Sequence, residues 1–246
     1  MKLASTALTA GLTFFAPLAH AAVLANYDFQ TTTGGAASTI SAASIVTGSG
    51  YGLTTFTGGV GLRGMLDPAG AITATSTTGV TDSTNTRHLV VRVGGTDATS
   101  RTDEGGAVTA NDYYGFTITP DPGTTLSLSS LSYDFSRSGT FSGRIFVRSS
   151  LDGYVNTIHV NDLPNSSNTL GAATPIDLTG SFGNITEAVT FRFYFADDSA
   201  SRTDVDTNPG IVYRIDNVIL QGTIPEPGST LMLGLGLGAL FARRRR

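Results

Sequence analysis

Apolar residues recur at every second position through much of this chain, and this spacing restricts its fold more than any other feature. In the clearest run, Val189, Phe191, Phe193 and Phe195 alternate with Thr190, Arg192 and Tyr194. Successive side chains of a β-strand point to opposite faces, so the run predicts a strand with one buried face and one outward face. The same alternation occurs at residues 114–118, 131–135, 145–147 and 211–215.

The predicted strands are short and numerous, and turns rich in Gly, Asn, Asp and Pro separate them. We find no convincing helical periodicity between residues 22 and 226. About ten strands with one buried face each are most commonly covered by packing two antiparallel sheets together. The sequence therefore predicts an all-β fold, an antiparallel β-sandwich of jelly-roll type, with a barrel as the alternative. No linker divides this body, so we expect a single domain.

The charge of the body excludes one class of partner. Of the 15 basic residues, Lys2 and four C-terminal arginines lie outside the body, whereas all 19 acidic residues lie within it. That leaves 10 scattered arginines against 19 acids, a charge of about −9. Nucleic-acid binding requires clustered positive charge, so no nucleic-acid partner is expected. The chain has no cysteine, which excludes disulfides and thiolate metal sites as well.

The last part of the chain consists of three segments. Pro225, Glu226 and Pro227 come first, residues 231–242 are uninterruptedly apolar, and the chain ends with Arg243, Arg244, Arg245 and Arg246. A helix from residue 227 to residue 242 would be about 24 Å long, somewhat shorter than a bilayer core of about 30 Å. We therefore predict a short C-terminal transmembrane helix with the arginines as its cytoplasmic stop.

This order of segments resembles the PEP-CTERM sorting signal of Gram-negative bacteria. The resemblance implies an exported protein that is anchored in the inner membrane in transit and then located at the cell surface or outside the cell. It also implies a partner, a membrane-embedded exosortase that cuts near Pro225, Glu226 and Pro227. An ordinary C-terminal anchor with proline-rich flanking residues is the alternative.

The first 21 residues have the features of a secretory signal peptide. Lys2 supplies a positive region, residues 8–18 are mostly apolar, and Ala19 and Ala21 are the small residues that a signal peptidase reads. An N-terminal transmembrane helix is the alternative, but polar residues and a proline interrupt the apolar run. We therefore predict a signal peptide at 1–21, a β-sandwich ectodomain at 22–223 and a sorting and anchor segment at 224–246.

Several stretches of the ectodomain resemble a recurrent domain that precedes PEP-CTERM tails. They are residues 114–120, 126–131, 147–153 and 214–218. The resemblance implies a sandwich and an exported location. That group of domains has no settled activity, so it supplies no functional residues.

An acidic segment between two predicted strands is the strongest candidate for a metal site. It contains Asp197, Asp198, Asp204, Asp206 and Asn208. Oxygen ligands at every second position can converge on Ca²⁺, which makes this segment a candidate calcium site. The pattern departs from an EF-hand, because Pro209 occupies the position of the turn glycine and no glutamate closes the loop. A solvated turn, with Arg–Asp pairing inside it, is the alternative.

Catalytic motifs are weak in this sequence. Residues 59–64 fit the dinucleotide fingerprint Gly-x-Gly-x-x-Gly, but residues 65–68 interrupt the helix that should follow it. Only His88 and His159 remain once the signal peptide is removed, and no Gly-x-Ser-x-Gly sequence is present. We therefore predict no catalytic residues.

The expected function follows from the predicted sorting signal and from the aromatic residues. The chain has no tryptophan, so tyrosines must provide any surface on which sugars stack; the candidates are Tyr51, Tyr113, Tyr133, Tyr154 and Tyr194. We predict an exported structural or glycan-associated module whose partner is extracellular polysaccharide. A secreted hydrolase acting on polysaccharide is the alternative, and it would need two carboxylates at a suitable separation.

Overall fold

The computed structural model of the chain describes residues 21–29, 44–45, 50–54, 56–59, 62–63, 73–76, 87–93, 104–138, 143–163, 167–197 and 212–224. These residues contain fifteen strands, one α-helix and one 3₁₀ turn. The strands are β1 Ala22–Tyr27, β2 Ser44–Ile45, β3 Tyr51–Leu53, β4 Thr57–Gly58, β5 Leu62–Arg63, β6 Thr73–Ser76, β7 Arg87–Val93, β8 Tyr113–Pro120, β9 Ser127–Ser138, β10 Gly143–Ser149, β11 His159–Leu163, β12 Ser167–Ala172, β13 Ile176–Asp177, β14 Val189–Asp197 and β15 Val212–Thr223. The helix, α1, is Glu104–Ala110, and the 3₁₀ turn is Ser150–Asp152.

The described strands form two antiparallel sheets. The larger sheet has the order β12-β9-β15-β1-β2, with β13 also on β9 and β7 also on β15. Strand β15 is long enough to pair with β7 through residues 212–215 and with β1 through residues 218–222. The smaller sheet has the order β11-β10-β14-β8-β3, with β4 also on β8. The prediction of an antiparallel β-sandwich is confirmed.

The core lies between the two sheets, on the faces that the alternation predicts. Phe191, Phe193 and Phe195 of β14 are fully buried. Phe193 meets Tyr133 of the larger sheet edge to face, with ring centroids 5.2 Å apart. Full burial of one such ring stabilises the fold by about 1.5–3 kcal/mol. On the predicted inward faces of other strands, Ile118, Leu131, Val147 and Ile215 are likewise buried, and Phe135 is partly buried against the core.

Tyrosine hydroxyl groups connect the two sheets through the core. A buried phenol usually has a hydrogen-bond partner, and for three of the buried tyrosines the partner is a backbone carbonyl across the interface. The bonds are Tyr27 Oη to the Thr54 carbonyl, Tyr51 Oη to the Leu24 carbonyl and Tyr213 Oη to the Ala196 carbonyl, each 2.6 Å long. These bonds fix the relative position of the sheets, which apolar packing alone restrains less strictly.

Helix α1 lies on the outer face of the smaller sheet, in a stretch whose sequence shows no convincing helical periodicity. Its sequence, Glu-Gly-Gly-Ala-Val-Thr-Ala, contains two glycines, and intrinsic propensity therefore does not favour a helix. Ala107 is fully buried together with Phe146 and Tyr194 of the sheet, and this packing stabilises the helix. Tyr194, which the alternation places on the solvent side, is consequently buried as well.

Candidate functional site on the outer face of the smaller sheet

The outer face of the smaller sheet carries two arginines on neighbouring strands. Arg148 of β10 and Arg192 of β14 are register partners. Like charges in directly opposite positions destabilise a sheet unless other contacts compensate them. The register partner of Arg192 on its other side is Gly115 of β8, which has no side chain to offer. Each guanidinium group is therefore stabilised by a different set of contacts.

Arg148 is held by a carboxylate and by the chain that follows β10. Its Nη2 donates to Glu104 Oε2 at 3.3 Å, and its Nη1 donates to the Tyr154 carbonyl at 2.9 Å. Its Nε donates to Thr157 Oγ1 at 3.1 Å, and the Thr157 hydroxyl donates to Glu104 at 2.6 Å. Only 13% of the Arg148 side chain is exposed. These bonds fix Arg148 and compensate its charge.

Glu104 joins helix α1 to the sheet. It is the first residue of α1, where the helix dipole favours an acidic side chain. Its Oε1 accepts a bond of 3.3 Å from Nη1 of Arg144, whose Nε donates to Asp162 at 2.6 Å. The hydrogen bond to Asp162 raises the pKa of Arg144. The helix is thus attached by ion pairs at its start and by apolar packing at Ala107.

Arg192 is stabilised by aromatic rings. Its guanidinium carbon lies 4.0 Å from the ring centroid of Tyr113 and 3.7 Å from that of Tyr154. Its Nη1 donates to the hydroxyl of Tyr194 at 3.3 Å, and its buried Nε has no partner among the described residues. Burial acts to lower the pKa of Arg192, but the bond to Tyr194 and the nearby phenols raise it, and the net shift is upward.

The ring of Tyr154 is presented by a tightly bonded loop between β10 and β11. Tyr154 has φ 65°, a left-handed conformation that is uncommon for an aromatic residue. The carboxylate of Asp152 accepts bonds from the backbone N–H of Val155 at 3.2 Å and of Asn156 at 2.9 Å. Burial acts to raise the pKa of Asp152, but these bonds outweigh it and lower that pKa. The loop therefore holds Tyr154 over Arg192 at some cost in backbone strain.

Exposed apolar side chains lie next to Tyr154 on the same loop. Leu151 is 48% exposed and Val155 is 68% exposed. Tyr113, Tyr154 and Arg192 are themselves only partly buried. We call Tyr113, Tyr154, Arg192 and the adjacent Arg148 the Tyr–Arg surface. It offers two aromatic rings, a guanidinium group between neighbouring strands and an apolar rim, and these groups suit a flat ligand with both C–H and hydroxyl groups.

The structure divides the five predicted stacking tyrosines into two groups. Tyr51, Tyr133 and Tyr194 are buried, at 8%, 1% and 0% exposure, so they were wrong as surface candidates. Tyr113 and Tyr154 remain partly accessible and belong to one surface. Tyr133 shares the inward face of its strand with Leu131, so the alternation of side chains along that strand could have excluded Tyr133. It could not have excluded Tyr194, because α1 covers it.

Most of the other predicted site residues lie outside the described residues. This holds for Ala19, for the sorting residues Pro225, Glu226 and Pro227, for the cytoplasmic stop at Arg243, Arg244, Arg245 and Arg246, and for Asp198, Asp204, Asp206 and Asn208. Ala21 directly precedes β1, and Asp197 is the last residue of β14. Within the described ranges, no group of three or more His, Cys, Asp or Glu side chains could hold a metal ion. The calcium site stays a prediction.

The weak catalytic motifs gain no support from the described residues. Residues 62–63 of the glycine-rich sequence form strand β5, in the place where a dinucleotide-binding fold needs a helix. His88 belongs to β7 of the larger sheet and His159 to β11 of the smaller one, so the fold places them in different sheets. In the part of the chain that the structure describes, no helix is both long and apolar enough to cross a membrane.

The C-terminal resemblance is confirmed by comparison with known families. Residues 223–246 match the family described as the PEP-CTERM protein-sorting motif. The chain therefore carries the C-terminal signal of exported, sorted proteins. No match was found among curated protein sequences.

Similar solved structures include sugar-binding modules. One is a non-crystalline cellulose specific carbohydrate-binding module, CBM28, with 12% identity, coverage of 65% of this chain and 86% of that chain, and a TM-score of 0.34. Another is the CBM22-2 xylan-binding domain from Paenibacillus barcinonensis Xyn10C, with 14% identity, coverage of 81% and 99%, and a TM-score of 0.36. The Clostridium thermocellum Xyn10B CBM22-1-GH10 modules have 15% identity, a TM-score of 0.36 and coverage of 84% of this chain but 29% of that chain. These TM-scores are low, and the sandwich architecture is established by the pairing of strands in the two sheets.

Proposed function

We propose that this protein is an exported module that binds extracellular polysaccharide through the Tyr–Arg surface. The sorting motif at residues 223–246 supports the location. The placement of Arg192 against the rings of Tyr113 and Tyr154 is the observation that supports the binding role. The protein would act at the cell surface or in the extracellular matrix, after processing by an exosortase.

The chemistry of the surface matches that of a sugar ring. The C–H groups of a pyranose stack on partly exposed aromatic rings, and its hydroxyl groups exchange hydrogen bonds with arginine and carboxylate side chains. Here the polar groups are already ordered, because Glu104 is bonded to Arg148 and Thr157. The Asp152 carboxylate likewise orders the loop that carries Tyr154. Such preorganisation reduces the entropy lost on binding.

The same contacts favour binding over hydrolysis. A glycosidase needs two carboxylates that flank the scissile bond and act as acid and as base or nucleophile. Beside the Tyr–Arg surface, Glu104 and Asp162 are each paired with arginine, and Asp152 accepts backbone N–H bonds from the loop that carries Tyr154. These contacts support a structural role, in which the carboxylates position the arginines, helix α1 and the loop.

A glycan array screened with the full-length protein in detergent tests the proposal. We expect binding of the wild type to extended polysaccharides and a loss of about tenfold in affinity for Tyr154→Asn, the effect of about 1.4 kcal/mol from one aromatic contact. Asparagine tolerates positive φ, so this variant removes the ring without straining the loop. The control is Val23→Ala, which alters a residue 37% exposed on β1 of the larger sheet. Equal binding by all three proteins, or none by the wild type, would contradict the proposal.

A further inference from the structure

We infer that Arg192 is a subsite for an oxyanion and that the polysaccharide bound at the Tyr–Arg surface is acidic. The inference rests on the proposed function and specifies its ligand class. It concerns a carboxylate or sulfate group carried on a sugar. Both groups present oxygen atoms at a spacing that a guanidinium group can engage with two parallel hydrogen bonds.

The arginines on this face differ in whether an acidic side chain neutralises them. Arg144 is paired with Glu104 and Asp162, and Arg148 is paired with Glu104. Arg192, directly opposite Arg148, has no carboxylate within ion-pair distance among the described residues. Among the described residues of this face, Arg192 is therefore an arginine without an acidic partner, although the body as a whole has nearly twice as many acids as arginines.

The Arg192 guanidinium group has nitrogen atoms available for a ligand. The ring centroids of Tyr113 and Tyr154 lie 4.0 Å and 3.7 Å from its central carbon, so its nitrogen atoms are the part that the oxygen atoms of a ligand can engage. Nη1 makes one bond of 3.3 Å to the Tyr194 hydroxyl, which is long for N–H···O. Nη2 donates to no atom of the described residues. Two oxygens of an anionic group can accept from Nη1 and Nη2 while the aromatic contacts remain.

The Arg192 guanidinium group lies directly beside a ring on which a sugar can stack. Tyr154 lies 3.7 Å from the guanidinium carbon and sits beside the exposed side chains of Leu151 and Val155. A sugar that stacks near Tyr154 therefore brings its substituents to Arg192. Arginine is also more weakly hydrated than lysine, so removing its water on binding is less costly.

The experiment compares matched polymers that differ only in charge. The probes are polygalacturonate and its fully methyl-esterified form, together with dextran sulfate and dextran, and the full-length protein in detergent is titrated with each. We expect the wild type to bind at least one acidic polymer about tenfold more tightly than its neutral counterpart, with an affinity that falls as salt rises. Preference for the uronate pair or for the sulfate pair identifies which oxyanion is recognised.

Variants separate the subsite from a general charge effect. Arg192→Gln should abolish the preference for the acidic polymer over its neutral counterpart, and Arg192→Lys should retain only part of that preference, because lysine lacks the planar fork. The control is Arg214→Gln, which removes one positive charge from β15 of the larger sheet and should leave the preference unchanged. Melting temperatures establish that each variant is folded.

Results that contradict the anion subsite differ from results that contradict polysaccharide binding. Equal affinity for acidic and neutral polymers, or an unchanged preference in Arg192→Gln, would overturn the anion subsite while the proposed polysaccharide binding stands. Absence of binding to every polymer would overturn both. A preference lost equally in Arg214→Gln would reveal a nonspecific charge effect and would also overturn the assignment of Arg192.

Discussion

Arg148 and Arg192 face each other on neighbouring strands, and each is stabilised by a different set of contacts. Arg148 has a carboxylate partner and lies 5.3 Å from the Phe146 ring, whereas Arg192 lies within 4.0 Å of two tyrosine rings. Cation–π contacts contribute about 0.5–2 kcal/mol each, depending on how far they are removed from water. The contacts of these two arginines therefore fix the positions of their side chains on the outer face. The alternation along β14 indicates only that Arg192 points outward.

The two faces of β14 should respond very differently to substitution. Phe193→Asp would bury an unpaired charge at a fully buried position and should lower the free energy of unfolding by several kcal/mol, about 3–5. Arg192→Ser should lower it by only about 1–2 kcal/mol, through loss of the ring contacts. Urea unfolding monitored by circular dichroism measures both. Comparable losses in the two variants would show that the outer face is structurally as demanding as the core.

Helix α1 shows how an element can form against its own propensity. Two glycines follow Glu104, and a helix of this length is marginal by itself in water. Ala107 supplies the small apolar residue that lets the backbone approach Phe146 and Tyr194. Packing against the sheet therefore stabilises α1, and the helix in turn places Glu104 next to Arg148.

Disruption of this attachment should be local. Ala107→Asp would place a charge against Phe146 and Tyr194, so α1 should detach while both sheets stay folded. The rate of amide hydrogen exchange should then increase in α1 and in the part of β14 around Tyr194, with little change in β15. The control is Thr109→Asp, which adds the same charge at an exposed position of the same helix. Similar exchange in both variants would contradict a specific role for Ala107.

The strands were largely predictable, and the site was only partly so. The spacing of Phe191, Phe193 and Phe195 identifies both the strand and its inward face, because burial of one face is a local property of the sequence. The pairing of Arg148 with Arg192 depends on the register between β10 and β14, which no single strand specifies. Helix α1, and with it the role of Glu104, depends on tertiary packing and was therefore missed.

Across the whole molecule, buried tyrosines should make the folded state less stable at alkaline pH. Burial raises the pKa values of Tyr27, Tyr114 and Tyr133 above the ordinary value of 10.0. In the unfolded chain these phenols ionise near pH 10, whereas in the folded chain they stay neutral. Stability is thus fully present below about pH 10 and should fall as the pH rises further.

Melting temperatures measured between about pH 9 and pH 11 test this expectation, with phenolate absorbance recorded in parallel. The phenolate signal of the buried tyrosines should appear together with unfolding. Titration of all tyrosines in a chain that stays folded would contradict the burial of these side chains.

The tail determines where the molecule is found. If the sorting motif at residues 223–246 directs processing, mass spectrometry of the surface protein should find a C-terminus between residues 223 and 230. The four terminal arginines should be missing from that material. Recovery of surface protein that still ends at Arg246 would show that the motif is not cut.

A hydrogen-exchange footprint of the full-length protein with a saturating polysaccharide shows most directly whether the Tyr–Arg surface binds the ligand. Binding at the Tyr–Arg surface should protect the loop around Tyr154 and the backbone of β14 near Arg192, since ligand contacts there restrict local opening. The larger sheet, including β1 and β15, should exchange at the same rate with and without ligand. Protection confined to the larger sheet, or absent from the Tyr154 loop, would contradict the assignment of this surface as the binding site.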